Sequence, residues 1–322
     1  MGLRLADRWI WDLWLALDGV DYHAFYLQAP RDLRDPKLRH RHVSIGHAVS
    51  EDLIHWEVLP DALHPAQNAG MWDDFTTWTG SVIRDENQWY MFYTGGKKSE
   101  NALIQRIGFA VSDDLIHWER FPDNPVILCD TDQYEAFNPN NWYELTWRDP
   151  WLMRDHQSGE FLAFITARSR TGPKDGRGLI ALAQSSDLKD WRVSGPVTRP
   201  GDFGCMEVPQ VVQIEGHWFL LFSATAAFQS EARLERVQAP AETGIYYLSA
   251  DAQLGPYVSK GDSTLLDLAT YTLYGGKILQ DPGGRWVLLA PRYADSSGRF
   301  VGEMHDPIPV HPTADGLIIP ER

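Results

Sequence analysis

Gly46-His47-Ala48-Val49-Ser50-Glu51-Asp52-Leu53-Ile54-His55-Trp56 returns almost unchanged as Gly108-Phe109-Ala110-Val111-Ser112-Asp113-Asp114-Leu115-Ile116-His117-Trp118. A third copy, Ala181-Leu182-Ala183-Gln184-Ser185-Ser186-Asp187-Leu188-Lys189-Asp190-Trp191, keeps the Ser, Asp, Leu and Trp, and residues 245–250 carry a degraded fourth. Each phrase reads as a strand, a tight Ser-Asp turn and a short strand starting at the Trp. Short polar side chains that bond their own backbone favour such turns.

A second phrase, a hairpin, runs in step with the first. Its five copies begin at Trp9-Ile10-Trp11-Asp12-Leu13-Trp14, Trp78-Thr79-Gly80-Ser81, Arg148-Asp149-Pro150-Trp151, Glu207-Val208-Pro209-Gln210 and Tyr274-Gly275-Gly276-Lys277. Their turn residues, Gly19, Asn87, Gly159, Gly216 and Gly284, recur at about 60–70 residues. Two phrases repeating in phase, with few positions suited to a long amphipathic helix, predict an all-β chain. The expected fold is a five-bladed β-propeller with four-stranded antiparallel blades, one domain over residues 1–322. A β-sandwich with long loops does not explain the phasing. Residues 123–143, rich in Pro, Asn and Asp, and the charged residues 229–242 interrupt the pattern; the latter read as a surface excursion that could hold a short helix.

The bulk properties fit. The 322 residues are 43% hydrophobic and include 14 Trp, enough for a sizeable core and for sugar stacking. A net charge of −15 argues against nucleic acid and against an anionic membrane surface. Two cysteines fit a reducing compartment. The N-terminus shows no basic-then-apolar signal, and the apolar run after it carries Asp12 and Asp18. A cytoplasmic protein is expected, with its oligomeric state left open.

Propeller geometry puts the first strand of each blade beside the central channel, so the five hairpin starts converge. The positions read as equivalent are Asp12, Trp78-Thr79, Asp149, Glu207 and Tyr274. Strict alternation along the first strand would place Ile10, Asp12 and Trp14 on one face and Trp9, Trp11 and Leu13 on the other. Three converging carboxylates cost energy unless one holds a proton. Retaining glycoside hydrolysis needs such a set: a carboxylate nucleophile and a proton donor on either side of the scissile bond.

These residues carry a resemblance. Trp147-Arg148-Asp149-Pro150 matches the R-D-P motif of the furanosidase clan of five-bladed propeller glycosidases, families 32 and 68. Met206-Glu207-Val208-Pro209 resembles its E-C-P or E-R-P motif, and Trp78-Thr79-Gly80-Ser81 its W/F-S-G-S segment. The Ser44 to Ser50 phrase with Leu53-Ile54-His55-Trp56 resembles the first blade of invertases, while Ile10-Trp11-Asp12-Leu13-Trp14 is closer to levansucrases. The resemblance implies Asp12 as nucleophile, Glu207 as general acid and base, and Asp149 as transition-state stabiliser. It further implies a sugar pocket lined by Trp11, Gln28, Trp78, Thr79, Arg148, Tyr274 and Lys277, with no metal and no organic cofactor. The expected activity is retaining hydrolysis of β-fructofuranosides, sucrose or short fructo-oligosaccharides. The partner is then a small carbohydrate. Departures are Trp11 in place of an Asn, Thr79 for Ser, Val208 for Cys or Arg, and no C-terminal β-sandwich of the family 32 kind.

Three other readings stand beside this one: a transfructosylase, a family 43-like inverting arabinofuranosidase or xylosidase, and a non-catalytic sugar-binding propeller. Locally, Arg148-Asp149 also reads as a plain buried ion pair and Glu207 as a strand-end surface acid. His40, His42 and His47 read as a polar loop and not a metal site, and Cys205 as a small core residue.

Overall fold

A computed structural model of the chain describes residues 2–259, 264, 271–313 and 316–318. The first blade is β1 (Arg8–Asp18), β2 (Asp21–Pro30), β3 (Ser44–Ser50) and β4 (Glu57–Leu63), paired antiparallel in sequence order. The second is β5 (Thr76–Asp85), β6 (Gln88–Gly96), β7 (Gln105–Ser112) and β8 (Glu119–Arg120). The third is β9 (Arg148–Arg154), β10 (Phe161–Arg168), β11 (Gly178–Ser185) and β12 (Arg192–Ser194). Each begins with one of the hairpins read from the sequence.

The fourth blade departs from the expected four strands. It has β13 (Glu207–Ile214), β14 (His217–Ala224) and β15 (Gly244–Ala250), and among the described residues the fourth position is marked by isolated bridges, Ser249 to Val258 and Tyr246 to Thr264. Before β15, residues 229–242 hold the short helix α1 (Glu231–Val237), capped by Ser230. The fifth blade is divided: β16 (Tyr271–Leu273) and β17 (Lys277–Gln280) flank Gly275-Gly276, and β18 (Trp286–Leu289) and β19 (Pro291–Asp295) flank Ala290. Here β18 pairs with β17 on one side and β21 (Ile308–Pro309) on the other, while β19 pairs with β16 and with β20 (Phe300–Met304). A small hairpin, β22 (His311–Thr313) and β23 (Gly316–Ile318), follows.

Period-two alternation explains why these strands are apolar runs: both faces of each blade are buried, one against each neighbour. In the first blade Trp14 and Phe25 pack against Trp89, Met91 and Tyr93 of the second. The other face of β6 sends Phe92 into the core shared with Phe161 and Ile165 of the third. Leu162 and Phe164 then meet Leu220 and Phe222, and Phe219 and Leu221 meet Ile278 and Leu288. The fifth core brings Leu289 and Met304 back to Ile10, Leu13 and Tyr26 of the first blade. The ring closes there through Met304 N–H donating to Leu3 O at 3.0 Å and the Tyr22 hydroxyl donating to Gln280 O at 3.0 Å. The architecture is a five-bladed β-propeller.

The repeated phrase builds one turn three times. Ser50 Oγ accepts the N–H groups of Asp52 and Leu53 at 3.2 and 2.8 Å, and Asp52 Oδ1 accepts those of Ile54 and His55 at 2.9 and 2.8 Å. The indole N–H of Trp56 donates back to Leu53 O at 3.2 Å. The Leu sits at φ +64°, +64° and +67° in the three copies, fully buried each time. The side-chain acceptors and the leucine's burial offset the roughly 1 kcal/mol or more that a left-handed non-glycine residue costs.

Candidate active site

The inner strands of the first four blades each break register once, and the fifth is interrupted at Gly275-Gly276. Four of these breaks hold a residue at positive φ: Asp12 (+39°), Asp149 (+56°), Val208 (+55°) and Gly275 (+66°). A bulge re-aims a side chain out of the pleat and ends local pairing. This overturns the alternation expected of the first strand. Trp11 pairs with Leu27 and Leu13 with Tyr26, so Asp12 is skipped. Ile10 and Leu13 then face the fifth blade, and Trp11 and Trp14 face the second. Asp12 belongs to neither face and opens onto the channel mouth.

The five hairpin starts are also not in one register. Glu207 and Tyr274 stand one residue before the left-handed position, as Trp11 and Arg148 do, whereas Asp12 and Asp149 occupy it. All of them nevertheless line one cavity of about 440 Å³, within the ordinary range for a small-molecule site.

Three carboxylates from three blades meet there. Asp12 Oδ2 accepts the Thr79 hydroxyl at 2.5 Å. Asp149 Oδ2 accepts the Val208 N–H at 3.0 Å. Glu207 is held at both oxygens: Arg148 Nη2 donates to Oε1 at 2.6 Å, and the Tyr274 hydroxyl donates to Oε2. Arg148 reaches a fourth carboxylate, Glu144, with Nη1 at 2.5 Å, and its Nε lies 3.5 Å from Asp149.

Burial raises the Asp12 carboxyl above its usual range; the Thr79 hydroxyl opposes this, the Glu207 carboxylate adds to it, and Lys277 and Arg39 draw it down. Asp149 is pushed up to about 7, chiefly by burial, with Arg148 opposing and Asp12 and Glu207 adding. Burial likewise raises Glu144, while the charge of Arg148 pulls it back. Such a cluster of perturbed carboxyls in a cleft is a mark of a functional site.

Most residues expected from the sequence arrive at this wall: Trp11, Asp12, Trp78, Thr79, Arg148, Asp149, Glu207 and Tyr274. Two expected sugar contacts do not. Gln28 lies on the side of β2 opposite the wall residue Leu27, and its amide donates to Ser44 Oγ at 3.1 Å. Lys277 is under the floor, 2% exposed, with Nζ donating to Val208 O at 3.0 Å. The divided fifth blade puts β17 below the mouth.

The cavity also has residues that were not singled out. Arg39, His40 and Arg41 come from the 3-10 turn Pro36–Arg41 between β2 and β3. Tyr143 and Glu144 arrive at the end of the long 123–143 excursion, and Tyr293 from β19. Two signals pointed to them: a basic run, Lys37 to His42, in an acidic chain, and the four-residue spacing of Glu144 and Arg148. Cys205 is fully buried, as expected of a core residue. Among the described residues no group of three or more His, Cys, Asp or Glu is placed to hold a metal ion. Among them, too, no helix is long and apolar enough to cross a membrane.

Residues 15–293 match the family described as glycosyl hydrolases family 32, N-terminal domain. The chain belongs to this family. The family 32 match covers Asp149, Glu207, Tyr274 and Lys277 and begins just after Asp12, whose place in the site rests on the geometry above. Among relatives, a sucrose-6-phosphate hydrolase of Vibrio alginolyticus is 27% identical over 290 residues, covering 86% of this chain and 51% of the relative. A fructan 6-exohydrolase of Beta vulgaris is 29% identical over 194 residues, 58% of this chain and 29% of the relative. This family 32 chain thus spans about half or less of the length of these relatives. Among solved structures, an inulosucrase from Halalkalicoccus jeotgali bound to kestose superposes with a TM-score of 0.81 at 20% identity, covering 98% of this chain and 87% of that one. The β-fructofuranosidase catalytic domain of Microbacterium saccharophilum K-1 superposes at 0.77 with 14% identity, covering 99% and 82%. A family 43 hydrolase superposes at 0.72 with 15% identity, covering 98% and 94%. At these identities the structural likeness is one of fold.

Proposed function

We propose that residues 1–322 form one catalytic domain that hydrolyses β-fructofuranosides, sucrose or a short fructo-oligosaccharide, with retention at the anomeric carbon. The observation that carries this is the meeting of Asp12, Asp149 and Glu207, from three blades, on the wall of one cavity. In the first step an Asp12 oxygen attacks C2 of the fructosyl unit as the bond to the leaving oxygen breaks. Glu207 gives that oxygen its proton, and a fructosyl ester forms on Asp12. In the second step Glu207 takes a proton from water, the water oxygen bonds to C2 and the ester opens, restoring Asp12. Asp149 bonds the sugar hydroxyls, and Arg148 and Tyr274 fix the orientation of Glu207. Trp11 and Trp78 offer faces to the sugar rings. Two unpaired cysteines, Cys129 and Cys205, favour a cytoplasmic setting and hence an imported or endogenous substrate.

A second reading, a phosphate on the leaving sugar, is favoured by a specific observation. Lys37, Arg39 and Arg41 stand together on the cavity wall of a chain with net charge −15, and Arg41 Nη1 is buried without a hydrogen-bond partner among the described residues. The Vibrio alginolyticus relative, and a second from Bacillus subtilis at 26% identity, are named sucrose-6-phosphate hydrolases.

The test is product analysis on sucrose and on sucrose 6-phosphate, for wild type and Glu207→Ala. Equal release of fructose and leaving sugar by wild type, lost in the variant, supports hydrolysis. Excess leaving sugar means that a sugar acceptor replaces water. Turnover of pentosides with no turnover of fructosides overturns the assignment.

A further inference from the structure

Lys277 opens the lower half of the innermost strand of the fifth blade, two residues past Gly275, whose backbone runs against Asp12. Its ammonium is buried below the cavity floor, bonded to Val208 O and 5.7 Å from the centre of the Trp151 ring. Placing an ammonium out of water is costly unless other charges or polar groups compensate for it. The charges that do so here are Asp12 and Asp149. Lys277 is not among the residues that line the cavity.

We propose that Lys277 is a positioning residue for the reaction: its buried charge keeps Asp12 ionised for attack, and its bond to Val208 O fixes the bulge that presents Glu207. This rests on the reading of Asp12 as the nucleophile. Four carboxylates line the wall, Asp12, Asp149, Glu144 and Glu207. The cations around them are Arg148, Arg39, Arg41 and Lys37 on the wall and Lys277 below it. Arg148 is committed to Glu144 and Glu207 by close ion pairs. Arg39 lies between the rings of Trp11 and Phe300, 5.4 and 4.2 Å from their centres. The groups bearing on Asp12 are therefore Lys277 from β17, Glu207 from β13, Arg39 from the β2–β3 connection and the Thr79 hydroxyl from β5. Burial lowers the Lys277 ammonium to about 8, and Asp12 and Asp149 hold it from falling further, so it stays charged through the neutral and acid range.

The test compares Lys277→Met, Lys277→Gln and Lys277→Arg with wild type. Met removes the charge and the bond; Gln removes the charge and keeps a donor for Val208 O; Arg keeps the charge. Two readouts are taken: the pH profile of kcat/KM on the fructoside that wild type turns over, and the titration of Asp12 by carboxyl ¹³C NMR, assigned with Asp12→Asn. Loss of one nearby positive charge shifts a carboxylate by about one pH unit or more. The expected result is that the acid limb and the Asp12 midpoint both move up by about that amount in Met and Gln. Neither moves in Arg, and kcat falls roughly tenfold near neutrality while KM changes less. An unmoved Asp12 midpoint in a folded neutral variant overturns the proposal. So does a displaced acid limb in Lys277→Arg should neither neutral variant fold. The two readings fail differently. A wild type inactive on fructosides removes the function and leaves the NMR outcome standing; an active wild type with unshifted midpoints removes only the role of Lys277.

Discussion

Gly275 passes so close to Asp12 that a Cβ on the glycine would stand 2.8 Å from Asp12 Oδ1. It also sits at φ +66°, and its N–H donates to Ser223 Oγ at 2.9 Å. The fifth blade thus meets Asp12 of the first blade with backbone at this point. Gly275→Ala is expected to lower kcat/KM at least 100-fold. The left-handed backbone itself costs only about 1–2 kcal/mol, so a folded variant with lost activity is the outcome to check by circular dichroism and kinetics together.

Burial of Asp149 makes the stability of the fold depend on pH. Its folded-state affinity for a proton is raised, from 3.8 to about 7. Between those values the unfolded chain has released the proton and the folded chain has not, so stability present at acid pH is lost as pH rises through about 7. Asp149→Asn removes that loss while keeping an acceptor for the Val208 N–H. Calorimetry is expected to find the variant's Tm near wild type at about pH 4 and a few degrees above it at about pH 8. Its kcat is expected to drop about 100-fold or more, as for other lost transition-state contacts.

The phosphate reading turns on Arg41. Its guanidinium lies 5.6 and 5.7 Å from the centres of the Phe75 and Trp78 rings, with one buried nitrogen unpartnered among the described residues. A hydrogen bond to a charged group is worth about 1.5–3 kcal/mol. Arg41→Ala is expected to raise KM for sucrose 6-phosphate by about 10–100-fold and to raise it much less for sucrose. Equal effects on both would remove the phosphate reading.

Phe92 joins two blades. It is fully buried, stacked on Phe109 at 5.0 Å and edge-on to Trp191 at 5.5 Å. Phe92→Ala is expected to cost about 3–5 kcal/mol in denaturant unfolding, with activity per folded molecule preserved.

The ring of blades was legible because its turns are chemical. Ser50, Asp52 and Leu53 return as Ser112, Asp114 and Leu115 and as Ser185, Asp187 and Leu188, and in each set the Ser Oγ accepts the Asp N–H and the Asp Oδ1 accepts the N–H groups two and three residues on. Asp12, Asp149 and Glu207 were legible from their place at the hairpin starts. Their exact register was not, because a bulge leaves no pattern in composition: Asp12 looks like an in-phase strand residue until its neighbour Leu13 is seen opposite Tyr26. The far wall was missed for a different reason. Arg39, Tyr143 and Tyr293 come from connections or outer strands whose path depends on the finished ring. Gln28 and Lys277 were placed on the wall by the resemblance, which matches positions along the chain and does not say how deep a side chain sits.

The measurement that bears most directly on the site is capture of its covalent intermediate. Wild type, given sucrose and quenched in acid during turnover, is to be digested and its peptides weighed. The account predicts one anhydrofructosyl unit on the peptide that contains Asp12, absent from Asp12→Asn. A fructosyl adduct on another residue, or sucrose turnover that survives Asp12→Asn undiminished, would contradict it.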